Sequence, residues 1–74
     1  MHIILLVSNH CPTCKKAIEQ LHNLKSEYPQ ITTKTLDVKL FGDKRIVITP
    51  AWIINNELYS YGEIDKEKFI SKFL

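Results

Sequence analysis

The stretch Ser8-Asn-His-Cys-Pro-Thr-Cys-Lys-Lys16 holds both cysteines of the chain, Cys11 and Cys14, with Pro12 and Thr13 between them. What stands on each side of it decides the fold. Downstream, Ala17, Ile18, Leu21, Leu24 and Tyr28 recur at three- and four-residue spacing, which builds one apolar stripe along a helix. Lys15, Lys16, Glu19, Gln20 and Asn23 fall mostly off that stripe. Pro12 is tolerated in a first turn, where its missing N–H has no partner to lose. The helix is therefore predicted to start at about Cys11, and Pro29 stops it. Upstream, His2 to Val7 read HIILLV, a continuous β-branched and leucine run that suits a central strand buried on both faces.

Further along, Ile31 to Val38 (ITTKTLDV) alternate in part and carry threonines, as an edge strand with one wetter face does. KLFGDKR is a short polar connection around Gly42 without a full helical period. The next apolar run, IVITPAWII, is interrupted at Thr49-Pro50. A proline cannot donate to a sheet ladder, so Pro50 marks the start of a strand from Ala51 to Ile54. Asn55-Asn56 tolerate the left-handed region and suit a tight hairpin. Glu57 to Tyr61 form the return strand, with Tyr59 and Tyr61 expected on one face as packing residues. Gly62 ends it. Asp65 is a good N-cap, and Ile64 and Phe69 have the spacing of a hydrophobic staple. Phe69, Ile70, Phe73 and Leu74 are expected to make the buried face of a last helix. The order is β-α-β, a short connection, then β-β-α: an α/β layer arrangement.

With 74 residues, the chain reads as a single domain, residues 1–74. A formal net charge of +2 with mixed signs gives no nucleic-acid footprint. The run Ile3 to Val7 is too short for a membrane span or a signal segment. The expectation is a cytoplasmic protein, where a Cys-x-x-Cys pair is catalytic or metal-binding more often than structural. Stability is a poor reason for the pair, because so short a loop constrains the unfolded chain very little.

The position of the pair suggests its chemistry. A strand delivers Cys11 to a helix start, where unpaired N–H groups and the helix dipole favour an anion. A thiolate is such an anion, and it is the nucleophile of disulfide exchange. Cys14 lies about one turn on, within reach of a mixed disulfide formed at Cys11. Pro12 stiffens the turn. Lys15 and Lys16 add positive charge, although a solvated face explains them as well. His10 is read first as a solvated turn residue and second as a group that tunes the thiolate. Two other readings stay open: a pair of inert buried cysteines, and a soft-metal clip. A closed metal site wants four ligands, and only His2, His10 and His22 could add to the cysteines.

A Cys-Pro-Thr-Cys after a buried strand and at the head of a helix, then Thr49-Pro50 opening a hairpin, then a C-terminal helix, resembles the thioredoxin superfamily. The resemblance is to its small glutaredoxin-like and thioredoxin-like reductases and spans essentially the whole chain. It implies a minimal thioredoxin-like fold, with a four-stranded mixed sheet and the middle helix shortened or absent. It implies that the Thr49–Pro50 bond is cis and faces the cysteines, and that the Thr49 backbone is free to pair with an extended substrate. It implies a dithiol–disulfide oxidoreductase that cycles through a Cys11–Cys14 disulfide without a bound cofactor. The partners implied are a disulfide-containing protein substrate and an external dithiol reductant or upstream reductase.

Three departures from the family pattern matter. The dipeptide between the cysteines is Pro-Thr, and HIILLV contains no acid, unlike thioredoxins. Ser8 stands where glutaredoxins usually carry a basic residue, and Gly62 stands alone where they carry a Gly-Gly, which leaves glutathione open as the reductant. Lys39 to Thr49 offer room for a turn or about one helical turn in place of a whole helix. The sheet face so exposed, lined by Trp52, Phe41 and Ile46, is expected to be covered by a second copy (a homodimer), by a partner, or by the connection itself. The rival from another class is a metallochaperone-like module using the same cysteines. Such modules usually have methionine where Asn9 stands and end on a strand. A docking domain that keeps the fold without turnover is a third reading.

Overall fold

The computed structural model describes Met1–Leu74. Its strands are β1 (His2–Val7), β2 (Thr32–Asp37), β3 (Ala51–Ile54) and β4 (Glu57–Tyr61). Its helices are α1 (Pro12–Glu27), α2 (Val38–Phe41) and α3 (Lys66–Phe73). The four strands form one sheet in the order β2-β1-β3-β4. β1 runs parallel to β2 and antiparallel to β3, and β3 runs antiparallel to β4. A parallel step needs a crossover, and α1 supplies it.

Alternation along β1 divides the core in two. Ile3 and Leu5 face the layer of α1 and α3, where they meet Leu21, Leu24, Trp52 and Phe69. Leu6 faces the other way, toward Ile46, Ala51 and Ile53. The run Ile3 to Val7 is apolar without interruption because side chains pack on both sides of this strand. On α1 the stripe of Ala17, Leu21 and Leu24 is buried as its spacing predicts. Each leucine so buried contributes about 1.5–3 kcal/mol. The helix stops at Glu27, and the Tyr28 N–H closes it by donating to the Leu24 carbonyl at 2.8 Å. At α3 the Asp65 carboxylate accepts from the Lys68 N–H at 3.2 Å, and Ile64 and Phe69 enter the core together. Phe69 also meets Tyr59 and Phe73, with ring centroids 6.2 and 5.2 Å away.

The connection packs onto the second face of the sheet over Leu6, Ala51 and Ile53, while Leu58 and Tyr61 of β4 stay exposed beside it. Asp37 ends β2 by turning its carboxylate onto the Lys39 N–H at 2.8 Å, so Val38 joins a one-turn α2 instead of the strand. Gly42, at φ +88°, ends that turn in the left-handed region, which glycine enters without a Cβ penalty. Asp43 then accepts from the Arg45 backbone and guanidinium at 3.0–3.1 Å. This bonding holds the Asp43 carboxyl below its ordinary range. The pair is at the surface and adds little stability. From this loop Phe41 and Ile46 pack down onto the sheet.

Three expectations are corrected. Trp52 does not line the second face. It pairs with Leu5 across the antiparallel ladder, so it shares Leu5's side, fully buried among α1 and α3. Its indole N–H donates to the Gly62 carbonyl at 2.8 Å. Tyr59 and Tyr61 do not share a face. A β-bulge opposite Trp52/Ile53 puts an extra residue in β4 and breaks its alternation. Tyr59 therefore packs on the helix side, while Tyr61, opposite Ala51, joins the other. Leu74 is 49 % exposed, because it follows the last helical residue and only its N–H is tied back, to Ile70.

Gln20 lies off the apolar stripe yet holds the two helices in place. Its amide donates to the Ile64 carbonyl at 3.1 Å and accepts from the Ile64 N–H at 3.0 Å. Both bonds run from α1 to the residue before the Asp65 cap, so they fix where α3 begins. Gln20→Ala is expected to lower stability by about 1–2 kcal/mol in chemical denaturation, since it leaves a partly enclosed backbone pair without its partner. An unfolding midpoint equal to that of the unaltered chain contradicts this role.

Candidate active site

Four residues, Ser8 to Cys11, carry the chain from the end of β1 to the start of α1. His10 takes φ +58°, the left-handed conformation that lets the chain reverse into a helix, and its side chain is exposed. Cys11 is the N-cap. Its sulfur accepts from the Cys14 N–H at 3.2 Å, the place a serine or aspartate oxygen takes in an ordinary cap. Pro12 is the first helical residue, where no N–H is required.

This geometry separates the two sulfurs. Cys14 sits one turn in on the buried side of α1 and is 3 % exposed, whereas Cys11 is only partly buried. They are joined as a disulfide across a Cα–Cα distance of 5.2 Å. Thr13, Lys15 and Lys16 are exposed, and neither lysine engages an acidic partner.

The other wall comes from far along the chain. The Thr49–Pro50 peptide bond is cis, and it sets Thr49 against Cys11. The Thr49 carbonyl oxygen and Oγ1 both lie 3.9 Å from the Cys11 sulfur. Thr49 Oγ1 is in turn 2.6 Å from the Ser8 hydroxyl. Pro50 is buried, and its carbonyl accepts from the Gly62 N–H at 2.8 Å, which ties this wall to the end of β4. The Thr49 N–H and carbonyl make no backbone hydrogen bond.

Cys11, Cys14, Pro12, His10 and Lys15 border one depression, Thr49 faces Cys11 with Pro50 next to it in the chain, and Thr13 is exposed between the two cysteines. Tyr61 is not among them; it borders the depression formed by Phe41, Arg45 and Ile46. Of the three histidines, only His10 borders the sulfurs. His2 is bonded to Thr32 at the far end of β1, at 2.7 Å, and His22 is exposed along α1. Nowhere do three or more His, Cys, Asp or Glu side chains form a group able to hold a metal. The residue that sequence reasoning does not find is Ser8, whose neighbour is 41 positions away. The one available signal is that it ends the strand leading to Cys11.

Chemically, a sulfur that caps a helix gains an N–H donor and the positive end of the dipole when it becomes a thiolate. A second sulfur within disulfide distance gives that thiolate an internal partner. The sequence places this site in a known family. The family model described as a thioredoxin domain matches residues 1–74, and the chain belongs to that family. It is a thiol–disulfide oxidoreductase of the thioredoxin superfamily. Solved structures share the fold at low sequence identity. Oxidised thioredoxin O2 from Arabidopsis thaliana is 15 % identical with a TM-score of 0.65, over 96 % of this chain and 70 % of that one. The germline-specific thioredoxin Deadhead from Drosophila melanogaster is 15 % identical with a TM-score of 0.67, over 99 % and 80 %. No curated protein matches the sequence. No helix is long and apolar enough to cross a membrane.

The unequal burial of the sulfurs makes a direct prediction. After reduction, iodoacetamide is expected to label Cys11 at least tenfold faster than Cys14, a rough measure of what access and thiolate character together do. Peptide mapping by mass spectrometry at short times reads the ratio. Equal labelling contradicts the assignment of an exposed and a protected thiol.

Proposed function

We propose that the chain is a protein disulfide reductase and electron carrier, with Cys11 as the attacking thiol and Cys14 as the resolving one. The observation that carries this is the division of labour at the start of α1: Cys11 accessible at the cap, Cys14 buried one turn in. The Cys11 thiolate attacks a substrate disulfide, forms a mixed disulfide and releases one substrate thiolate. The Cys14 thiolate then attacks the Cys11 sulfur, and the second substrate thiolate leaves. Two electrons have passed to the substrate, and the Cys11–Cys14 disulfide remains. An external dithiol or a reductase resets it by the reverse exchange.

A polypeptide is the substrate class that the surroundings favour. The open backbone groups of Thr49 offer an extended segment a short strand pairing. Val47 and Ile48, 77 % and 56 % exposed, stand just before Thr49 and offer apolar contact beside it. Reduction as the net direction fits a cytoplasmic setting, where thiols are kept reduced.

The test is disulfide reduction by the unaltered chain, Cys11→Ser and Cys14→Ser, with metal content assayed on the same preparations. The expected result is turnover by the unaltered chain alone, and a stable mixed disulfide accumulating only with Cys14→Ser. A metal-loaded protein without turnover favours the soft-metal module instead.

A further inference from the structure

We propose that Ser8 is a positioning residue, which turns the Thr49 hydroxyl hydrogen onto the Cys11 thiolate. The proposal rests on Cys11 being the attacking thiol. Ser8 Oγ and Thr49 Oγ1 are 2.6 Å apart, and each carries a single hydrogen. One of them must donate to the other. Thr49 Oγ1 also faces the Cys11 sulfur at 3.9 Å, whereas the Ser8 hydroxyl has no second partner.

The two arrangements differ at the sulfur. If Thr49 donates to Ser8, an oxygen lone pair points at Cys11. If Ser8 donates to Thr49, the Thr49 hydrogen is free to point at Cys11. A thiolate at Cys11 selects the second, because a donor aimed at a charge is the stronger interaction and the Ser8 bond polarises it further. The pair thus forms a two-hydroxyl relay from the end of β1, through the residue before Pro50, to the reacting sulfur. It adds a second donor to the one that the Cys14 N–H supplies.

The other ionisable groups bordering Cys11 are Cys14, His10 and Lys15, all on its own segment. Ile46 to Pro50 bring none, and neither do Val7 and Ser8 at the end of β1. The Thr49 hydroxyl is therefore the polar side-chain group that reaches the sulfur from a different part of the fold.

The test follows the rate of iodoacetamide labelling of Cys11 against pH, in the reduced full chain, by peptide mapping. This titrates Cys11 whether or not the protein turns over substrate, so it is independent of the proposed function. Thr49→Val is expected to raise the apparent Cys11 pKa by about one unit, and Ser8→Ala by roughly half a unit. The double variant is expected to match Thr49→Val alone, since Ser8 acts only through Thr49. Ser8→Thr and Thr49→Ser keep the hydroxyls and are expected to titrate like the unaltered chain. Ser8→Ala titrating like the unaltered chain overturns the proposal. So does a double variant whose shift is the full sum of the two. Should Thr49→Val fail to fold, the contrast of Ser8→Ala with Ser8→Thr decides by itself.

Discussion

The hydrogen bond from the Cys14 N–H to the Cys11 sulfur is the contact on which the site depends. It makes a reactive atom part of the secondary structure, since the same sulfur caps α1 and faces the cis Thr49–Pro50 wall. A helix must begin here because α1 is the crossover between the parallel strands β1 and β2. It begins just after β1, one of the two inner strands of the sheet, so the cap is anchored to the middle of the fold. The chemistry inherits its geometry from this junction. The capping sulfur is left accessible at the helix end, and the sulfur one turn later falls on the side that packs against the core.

The second wall depends on the same sheet from the other direction. β3 lies beside β1 with Ala51 paired to Leu6, so the residues just before Ala51 emerge next to those just after Val7. That register brings Thr49 to Cys11 and Ser8 to Thr49. Trp52 supports it from below: its ring fills the helix-side core, and its N–H fixes Gly62, whose own N–H holds Pro50. The middle of the chain is reduced to one turn of helix and a loop, yet Phe41 and Ile46 still reach the second sheet face. A small domain thus keeps both faces of its sheet covered near the site with very little chain.

Most of the fold is legible in the sequence because its signals are local. HIILLV, the stripe from Ala17 to Leu24, the Asp65 cap and the Asn55-Asn56 turn each fix an element by its own period or turn chemistry. The cysteine pair is legible for the same reason. What the sequence does not show is lateral placement. Trp52 and Tyr61 were assignable to a face only from strand register and from the bulge in β4, and neither leaves a mark in the residues themselves. Ser8 and Gln20 illustrate a second limit. A serine at a strand end and a glutamine off an apolar stripe are ordinary surface residues until the fold brings Thr49 and Ile64 to them.

The central claim is that the capping sulfur, not the buried one, meets the substrate. It is tested most directly by acid-quenching the unaltered, reduced chain within its first turnover on a protein disulfide and mapping the trapped mixed disulfide by mass spectrometry. The account predicts that the substrate is attached at Cys11. Attachment mainly at Cys14 contradicts it.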